Sequence, residues 1–255
     1  MNKLRVIAII PARYASTRFP AKPLAVLGGK MVVERVYEQV KKAIDKVVVA
    51  TDDERICDAV LSFGGEVVMT SSEHRSGTDR CAEAYDKLGY EADIVLNIQG
   101  DEPFVAPEQI EALIKCFESE KIDIATLVKP FSAEDGIDAL ENPNSPKVVI
   151  NEACEAIYFS RSVIPYLRGV ERNEWLKHHT FYKHIGIYAF RAETLKEVTT
   201  LPTSQLERAE SLEQLCWLDN GYKIGVGLTN IETVGIDTPE DLERAEKFLK
   251  EQTTK

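Results

Sequence analysis

Three long cations and two acids mark where this chain could do chemistry. Arg13, Arg18 and Lys22 share one glycine-free loop, and every charged residue from Lys3 to Lys30 is basic, although the 255-residue chain carries a net charge of −11. A buried strand that delivers cations onto one loop suits a grip on a polyanion such as a triphosphate; the plain alternative is a solvated basic loop. Lys22 lies between Ala21 and Pro23, so its backbone is stiff and its ammonium is aimed. A cation held in that way can offset charge that builds on phosphoryl oxygens.

Asp101 and Asp237 each end an expected strand, DIVLNIQG and ETVGI. Hard oxygen donors at that position suit Mg2+, which takes one or two carboxylates and completes its shell with phosphate oxygens and water. Asp237 could equally be the N-cap of a last helix, DTPEDLERAEKF, and Asp101 a turn former before Glu102-Pro103. His184 and Tyr188 fall on one face of a strand, KHIGIYAF, where a lone histidine is more often packed than catalytic. His178-His179 lack a partner at zinc spacing. Walker A, GxGxxG and GxSxG patterns are absent, which removes the usual NTPase, dinucleotide and serine-hydrolase readings.

Positioning these residues requires strands. Val6 to Ile10, Lys46 to Ala50, Glu66 to Met69 and Asp93 to Ile98 are short and apolar, and they alternate with helical stretches at Met31–Ala43, Asp53–Phe63, Ser76–Leu88 and Pro107–Glu118. Continuous apolar strands alternating with helices imply parallel βαβ units covered on both faces, with ligands at the strands' carboxyl ends. The loops PARYASTR, SSEHRSGTDR and QGDEP all meet that edge. Further strands are expected at Ile124–Lys129, Lys147–Ile150, Ala156–Phe159, His184–Phe190, Lys223–Gly227 and Glu232–Ile236. Helices are expected at Ala192–Thr199, Ser204–Asp219 and from Thr238 onward. Residues 160–183 are aromatic and irregular, too long for a simple connection, and read as an insertion that covers the site or forms a dimer surface.

Composition sets the outer limits. With 44% hydrophobic and 29% charged residues the chain is expected to be a soluble globular protein. No apolar run approaches the ~20 residues of a membrane span, and no signal peptide is evident. The acidic balance argues against nucleic acid as a partner. Five scattered cysteines without a CxxC pair fit reduced thiols and a cytoplasmic location.

Eight motifs occur in order, PARYASTRFPAKPL, ATDDERI, MTSSEHRSGTDR, NIQGDEP, YFSRSVIPY, KHIGIYAF, LEQL and GIDTPEDLERAE, within a match that runs from Val6 to Glu246. Together they closely resemble the 3-deoxy-manno-octulosonate (Kdo) cytidylyltransferases, the CMP-Kdo synthetases. The resemblance implies a single α/β domain with a Rossmann-like, mixed, mostly parallel sheet of the nucleotide-diphospho-sugar transferase type. It carries helices on both faces and a β-rich insertion of about 151–190 for sugar binding and dimerisation. It implies attack of the anomeric 2-hydroxyl of Kdo on the α-phosphorus of CTP with Mg2+ as cofactor, giving CMP-Kdo and pyrophosphate for lipopolysaccharide assembly, in a homodimer.

By the family pattern Arg13 and Lys22 hold the triphosphate, Pro11-Ala12 and Ser76-Gly77 hold cytosine, and Asp101 and Asp237 share the metal. Arg18, Gln99, Arg161, His184, Tyr188, Glu213 and Gln214 fall on the sugar side, Gln99 also beside the nucleotide. Two positions depart from the pattern: Ala21 replaces a usual glycine, and Cys216-Trp217 stands where an arginine is common. An 8-amino-Kdo or other ulosonate cytidylyltransferase, and a non-catalytic nucleotide-sugar binding protein, are the rival readings; Glu102 favours ordinary Kdo over the amino analogue.

Overall fold

A computed structural model of the chain describes residues 4–15, 18–231 and 233–253. Ser16 and Thr17 of the basic loop, and Glu232 at the start of the expected late strand, lie outside them. The chain divides into two compact units. The first comprises Met1–Glu111, Phe190–Thr199 and Glu232–Lys255, and the second Ala112–Ala189 and Thr200–Ile231. The 151–190 segment falls within the second unit up to Ala189.

In the first unit β1 (Val6–Ala12) leads through a short hairpin, β2 (Val26–Leu27) and β3 (Lys30–Met31), into α1 (Val32–Lys41). There follow β4 (Lys46–Thr51), α2 (Glu54–Ser62), β5 (Val67–Met69), α3 (Gly77–Leu88), β6 (Ile94–Asn97) and the start of α4 (Pro107–Lys115). The strands run in the order β6-β1-β4-β5, all parallel. Side chains alternate across a sheet, yet the four successive residues Ile7 to Ile10 are all fully buried, so both faces of β1 are covered. Each of the three isoleucines in that run contributes roughly 1.5–3 kcal/mol relative to exposure. The helices supply the cover with one apolar stripe each. α1 buries Val32, Val33, Val36 and Val40, and α3 buries Cys81, Ala82, Ala84 and Tyr85.

Helix starts follow local chemistry. Asp53 caps α2 by accepting from the Arg55 amide, and Ser76 caps α3 in a reciprocal box with Asp79.

The second unit contains β7 (Ile124–Pro130), α5 (Gly136–Glu141), β8 (Lys147–Ile150), β9 (Ala156–Ser160), α6 (Trp175–His178) and most of β10 (Tyr182–Arg191). After α7 (Ala192–Val198), which belongs to the first unit, it adds α8 (Gln205–Glu210), α9 (Gln214–Asp219) and β11 (Ile224–Leu228); α10 (Pro239–Thr253) then completes the first unit. β11 pairs parallel with β7, β7 neighbours β10, and β8 pairs antiparallel with both β10 and β9. The architecture is the mixed, mostly parallel α/β class expected.

Three expectations need correction. Ser204–Asp219 is two helices rather than one: Ser211 adopts φ 51° and ends α8. Glu232–Ile236 is not a strand; the described part, 233–236, pairs with no strand, and Ile236 N–H instead donates to the Asp101 carbonyl at 2.9 Å. Residues 161–181 are not merely irregular, because Trp175 and Phe181 build a small core with Leu140, joined by Val163 and Leu167. No described helix is long and apolar enough to cross a membrane.

Candidate active site

The carboxyl ends of β1 and β6 and the first turn of α3 border a cleft of about 300 Å³ within the first unit. Pro11, Ala12, Arg13, Arg18, Lys22, Ser76, Gly77, Gln99, Asp101 and Asp237 all line it. Ten residues named from the sequence are therefore brought to one place. Gly100 makes this possible: a Cβ there would sit 2.7 Å from the Pro11 carbonyl oxygen, so only glycine lets the two loops approach. A Cβ at Gly77 would press on Pro11 and the Gln99 amide at 3.3–3.4 Å, so glycine leaves that wall of the cleft open. Gln99 donates its amide to Asn97 Oδ1 at 3.1 Å, which fixes its rotamer.

Lys22 is the hub. Its ammonium donates to Asp101 at 2.6 Å and to Asp237 at 3.1 Å, while Arg18 pairs with the other oxygen of Asp237 at 3.2 Å. Burial is the largest single influence on Lys22 and would lower its pKa, but the two carboxylates, Asp101 foremost, outweigh it and raise it. The lysine is therefore a fixed cation. The Ile236–Asp101 main-chain bond draws the two acidic segments together.

Asp237 is not the cap of α10. Thr238 Oγ1 accepts from Asp241 N–H at 3.3 Å, and Asp241 accepts from Thr238 N–H at 2.9 Å, which is a capping box one residue later. The carboxylate of Asp237 is thereby left for Lys22 and Arg18.

Sequence reasoning missed His74, Arg75 and Arg80, which also line the cleft. Arg80 is 4% exposed and held by Thr70 Oγ1 at 2.6 Å and Asp52 at 3.3 Å. His74 is bonded to Glu83, whose carboxyl also takes Lys87 and the Ser71 amide; these partners hold it at about 2 against the raising effect of burial. Arg13 and Arg75 are different, since neither has an ion-pair or hydrogen-bond partner among the described residues. They are the cleft's uncompensated positive charge. The only sequence signal for Arg75 was its place beside Ser76-Gly77.

The remaining named residues belong to the second unit. His184 and Tyr188 stand on one face of β10 with ring centroids 5.4 Å apart, flanked by Phe159 at 5.1 Å from His184 and Trp217 at 5.0 Å from Tyr188. Burial lowers His184 to about 3 and raises Tyr188 well above its usual value, so both are neutral. Thr126 Oγ1 lies 3.0 Å from His184 Nε2 and also donates to the carbonyls of Ile187 and Ile185. A hydroxyl has one proton, so it accepts from an Nε2–H tautomer and leaves Nδ1 as the imidazole's acceptor. Gln214, 3% exposed, carries a buried amide nitrogen with no acceptor. An orphan donor of this kind costs about 1–3 kcal/mol and marks a place where a ligand oxygen fits.

Glu213 precedes Gln214 at the start of α9 and its charge reaches Tyr188. Arg161 spends its guanidinium on the carbonyls of Glu210 at 2.6 Å, Pro143 at 2.9 Å and Ser211 at 3.2 Å. In this structure it shapes the α8–α9 corner. Cys216 is buried, with its thiol directed at the Pro202 carbonyl, so its departure from the family pattern is a packing matter.

The donor set fits a hard divalent cation. Asp101 and Asp237 stand together at the cleft, both bonded to the Lys22 ammonium, while no group of three or more His, Cys, Asp or Glu able to hold a metal occurs among the described residues. Two carboxylates suit an ion whose other ligands come from phosphate and water.

Similarity to known proteins agrees with this geometry. The family model described as Cytidylyltransferase matches residues 7–224. The 3-deoxy-manno-octulosonate cytidylyltransferase of Phocaeicola vulgatus is 65% identical over 249 residues, covering 98% of this chain and 99% of its own. That of Bacteroides thetaiotaomicron is 62% identical over 250 residues, covering 98% and 100%. A solved CMP:2-keto-3-deoxy-manno-octonic acid synthetase complexed with CTP superposes with a TM-score of 0.88 at 39% identity, covering 97% of this chain and 99% of that one. The chain belongs to the 3-deoxy-manno-octulosonate cytidylyltransferase family.

Proposed function

We propose that this protein transfers CMP from CTP to the anomeric 2-hydroxyl of Kdo, giving CMP-Kdo and pyrophosphate. The bond from the sugar oxygen to the α-phosphorus forms as the bond from that phosphorus to the β-bridging oxygen breaks, and the hydroxyl proton is released. The observation that carries the reading is the convergence of Lys22, Asp101 and Asp237 in a cleft whose uncompensated charge comes from Arg13 and Arg75.

Arg13 and Arg75 bind the polyphosphate, and Lys22 stabilises charge spreading over the phosphoryl oxygens during displacement. Pro11, Ala12, Ser76, Gly77 and Gln99 border the base. Asp101 and Asp237 hold Mg2+, which neutralises phosphate charge when bound. The neutral His184 and Tyr188 with Gln214 offer hydrogen bonds to sugar hydroxyls, where a charged group would be desolvated at greater cost. Positioning and electrostatics do the work, with no covalent intermediate on the protein.

The protein is further proposed to act in the cytoplasm as a homodimer, which light scattering in solution would test. Pyrophosphate release requiring CTP, Kdo and Mg2+ together is the expected result of the decisive assay. A panel including 8-amino-Kdo and other ulosonates assigns the sugar, and no release with any of them would overturn the reading.

A further inference from the structure

The two cations that the proposed function places on phosphate, Arg13 and Lys22, flank a main-chain bridge: the Tyr14 carbonyl accepts from Ala21 N–H at 3.0 Å. One end of that bridge is anchored outside the cleft. The guanidinium of Arg55 lies 3.3 Å from the centroid of the Tyr14 ring. The same guanidinium meets Asp53 edge-on, with Nε at 2.9 Å and Nη2 at 2.6 Å. Asp53 is in turn fixed as the N-cap of α2, accepting from Arg55 N–H at 3.0 Å. None of Tyr14, Asp53 and Arg55 lines the cleft.

We infer that Tyr14, Arg55 and Asp53 are positioning residues that set the register of Arg13 and Lys22 against the triphosphate. An Arg plane clamped bidentately by a carboxylate is pre-organised to stack on an aromatic face. The stacked ring then fixes the main chain at Tyr14, and the bridge carries that constraint to Ala21 and so to Lys22. A misplacement of about 1 Å in such a group can cost on the order of 100-fold in rate, so a surface tether can act on turnover without touching substrate. This inference rests on the cytidylyltransferase reading.

The test is Arg55→Met, which keeps the stem and removes the planar charge, with Asp53→Asn, which keeps the cap and weakens the ion pair. Tyr14→Leu removes the ring face, and Tyr14→Phe restores it. Turnover in the pyrophosphate assay, CTP affinity by calorimetry and thermal midpoint are read on each variant. We expect Arg55→Met and Tyr14→Leu to lose roughly 10-fold or more in kcat/KM for CTP, with KM for Kdo and the thermal midpoint unchanged and with Tyr14→Phe near wild type. Wild-type values for Arg55→Met and Tyr14→Leu would overturn the inference, as would losses that track falling thermal stability. If the wild type binds CTP but releases no pyrophosphate, the functional reading fails, and the CTP affinities of the variants still decide the tether. If the wild type does not bind CTP, both fall.

Discussion

At the residue scale, charge compensation separates the cleft's side chains into roles. Lys22, Arg18 and Arg80 are paired within the protein, whereas Arg13 and Arg75 have no such partner among the described residues. A free guanidinium beside a triphosphate contributes through charge-assisted contacts that solvent screens in part. Arg75→Gln is therefore expected to weaken CTP binding about 3- to 10-fold and to flatten its salt dependence, measured by calorimetry at several ionic strengths. Asp237→Asn tests the other role. Thr238 and Asp241 cap α10 without it, so unfolding should be little changed. Turnover should fall on the order of 100-fold or more, because one of the two carboxylates proposed to hold Mg2+ against the phosphates, and a partner that aims Lys22, is lost. Retained turnover would return Asp237 to a structural part.

At the element scale, the loop after β1 stores strain at one position. Ala21 has φ 57° and ψ 19°, left-handed backbone that costs a non-glycine residue about 1–2 kcal/mol. With this backbone at Ala21, Lys22 reaches Asp101 at 2.6 Å. Ala21→Gly relieves the strain at a chain-entropy cost of about 0.5–1 kcal/mol, so stability should change by no more than about 1 kcal/mol in denaturant titrations, with activity kept. Ala21→Val places a β-branched residue there and should destabilise by about 1–2 kcal/mol while lowering turnover through Lys22.

What was legible in the sequence follows from how local its cause is. β1, β4 and β6 could be read because apolar runs between turn residues need no distant partner, whereas the choice between Thr78 and Ser76 as the cap of α3 is settled by the box that Ser76 makes with Asp79. The break between α8 and α9 could not be read, since the carbonyls there are held by Arg161, some fifty positions earlier in the chain. Asp237 reads as a plausible cap on paper, and only the paired bonds between Thr238 and Asp241 show that it is not one. Nor could adjacency in sequence reveal that Arg75 lacks a partner among the described residues while Arg80 has two.

At the scale of the whole molecule, acidity and burial act on stability together. The chain carries a net charge of −11, and the buried, neutral His184 is a group that responds to mild acid. Its pKa is near 3 when folded and about 6.5 when unfolded, so between those values only the unfolded chain binds the proton. The resulting stability is fully present above pH 6.5 and is lost as pH falls toward 3, at up to about 1.4 kcal/mol per pH unit. Glu83, at about 2 when folded against 4.5 when unfolded, adds its own loss as pH falls from about 4.5 toward 2. The histidine is therefore isolated by comparison with His184→Gln, whose amide can still donate toward Thr126. Denaturant titrations from pH 7 to pH 4.5 should show wild-type stability falling more steeply than that of the variant, by close to one proton's worth. Parallel curves would mean that the imidazole takes up its proton without unfolding, and that the neutral hydrogen-bonding surface assigned to β10 is wrong.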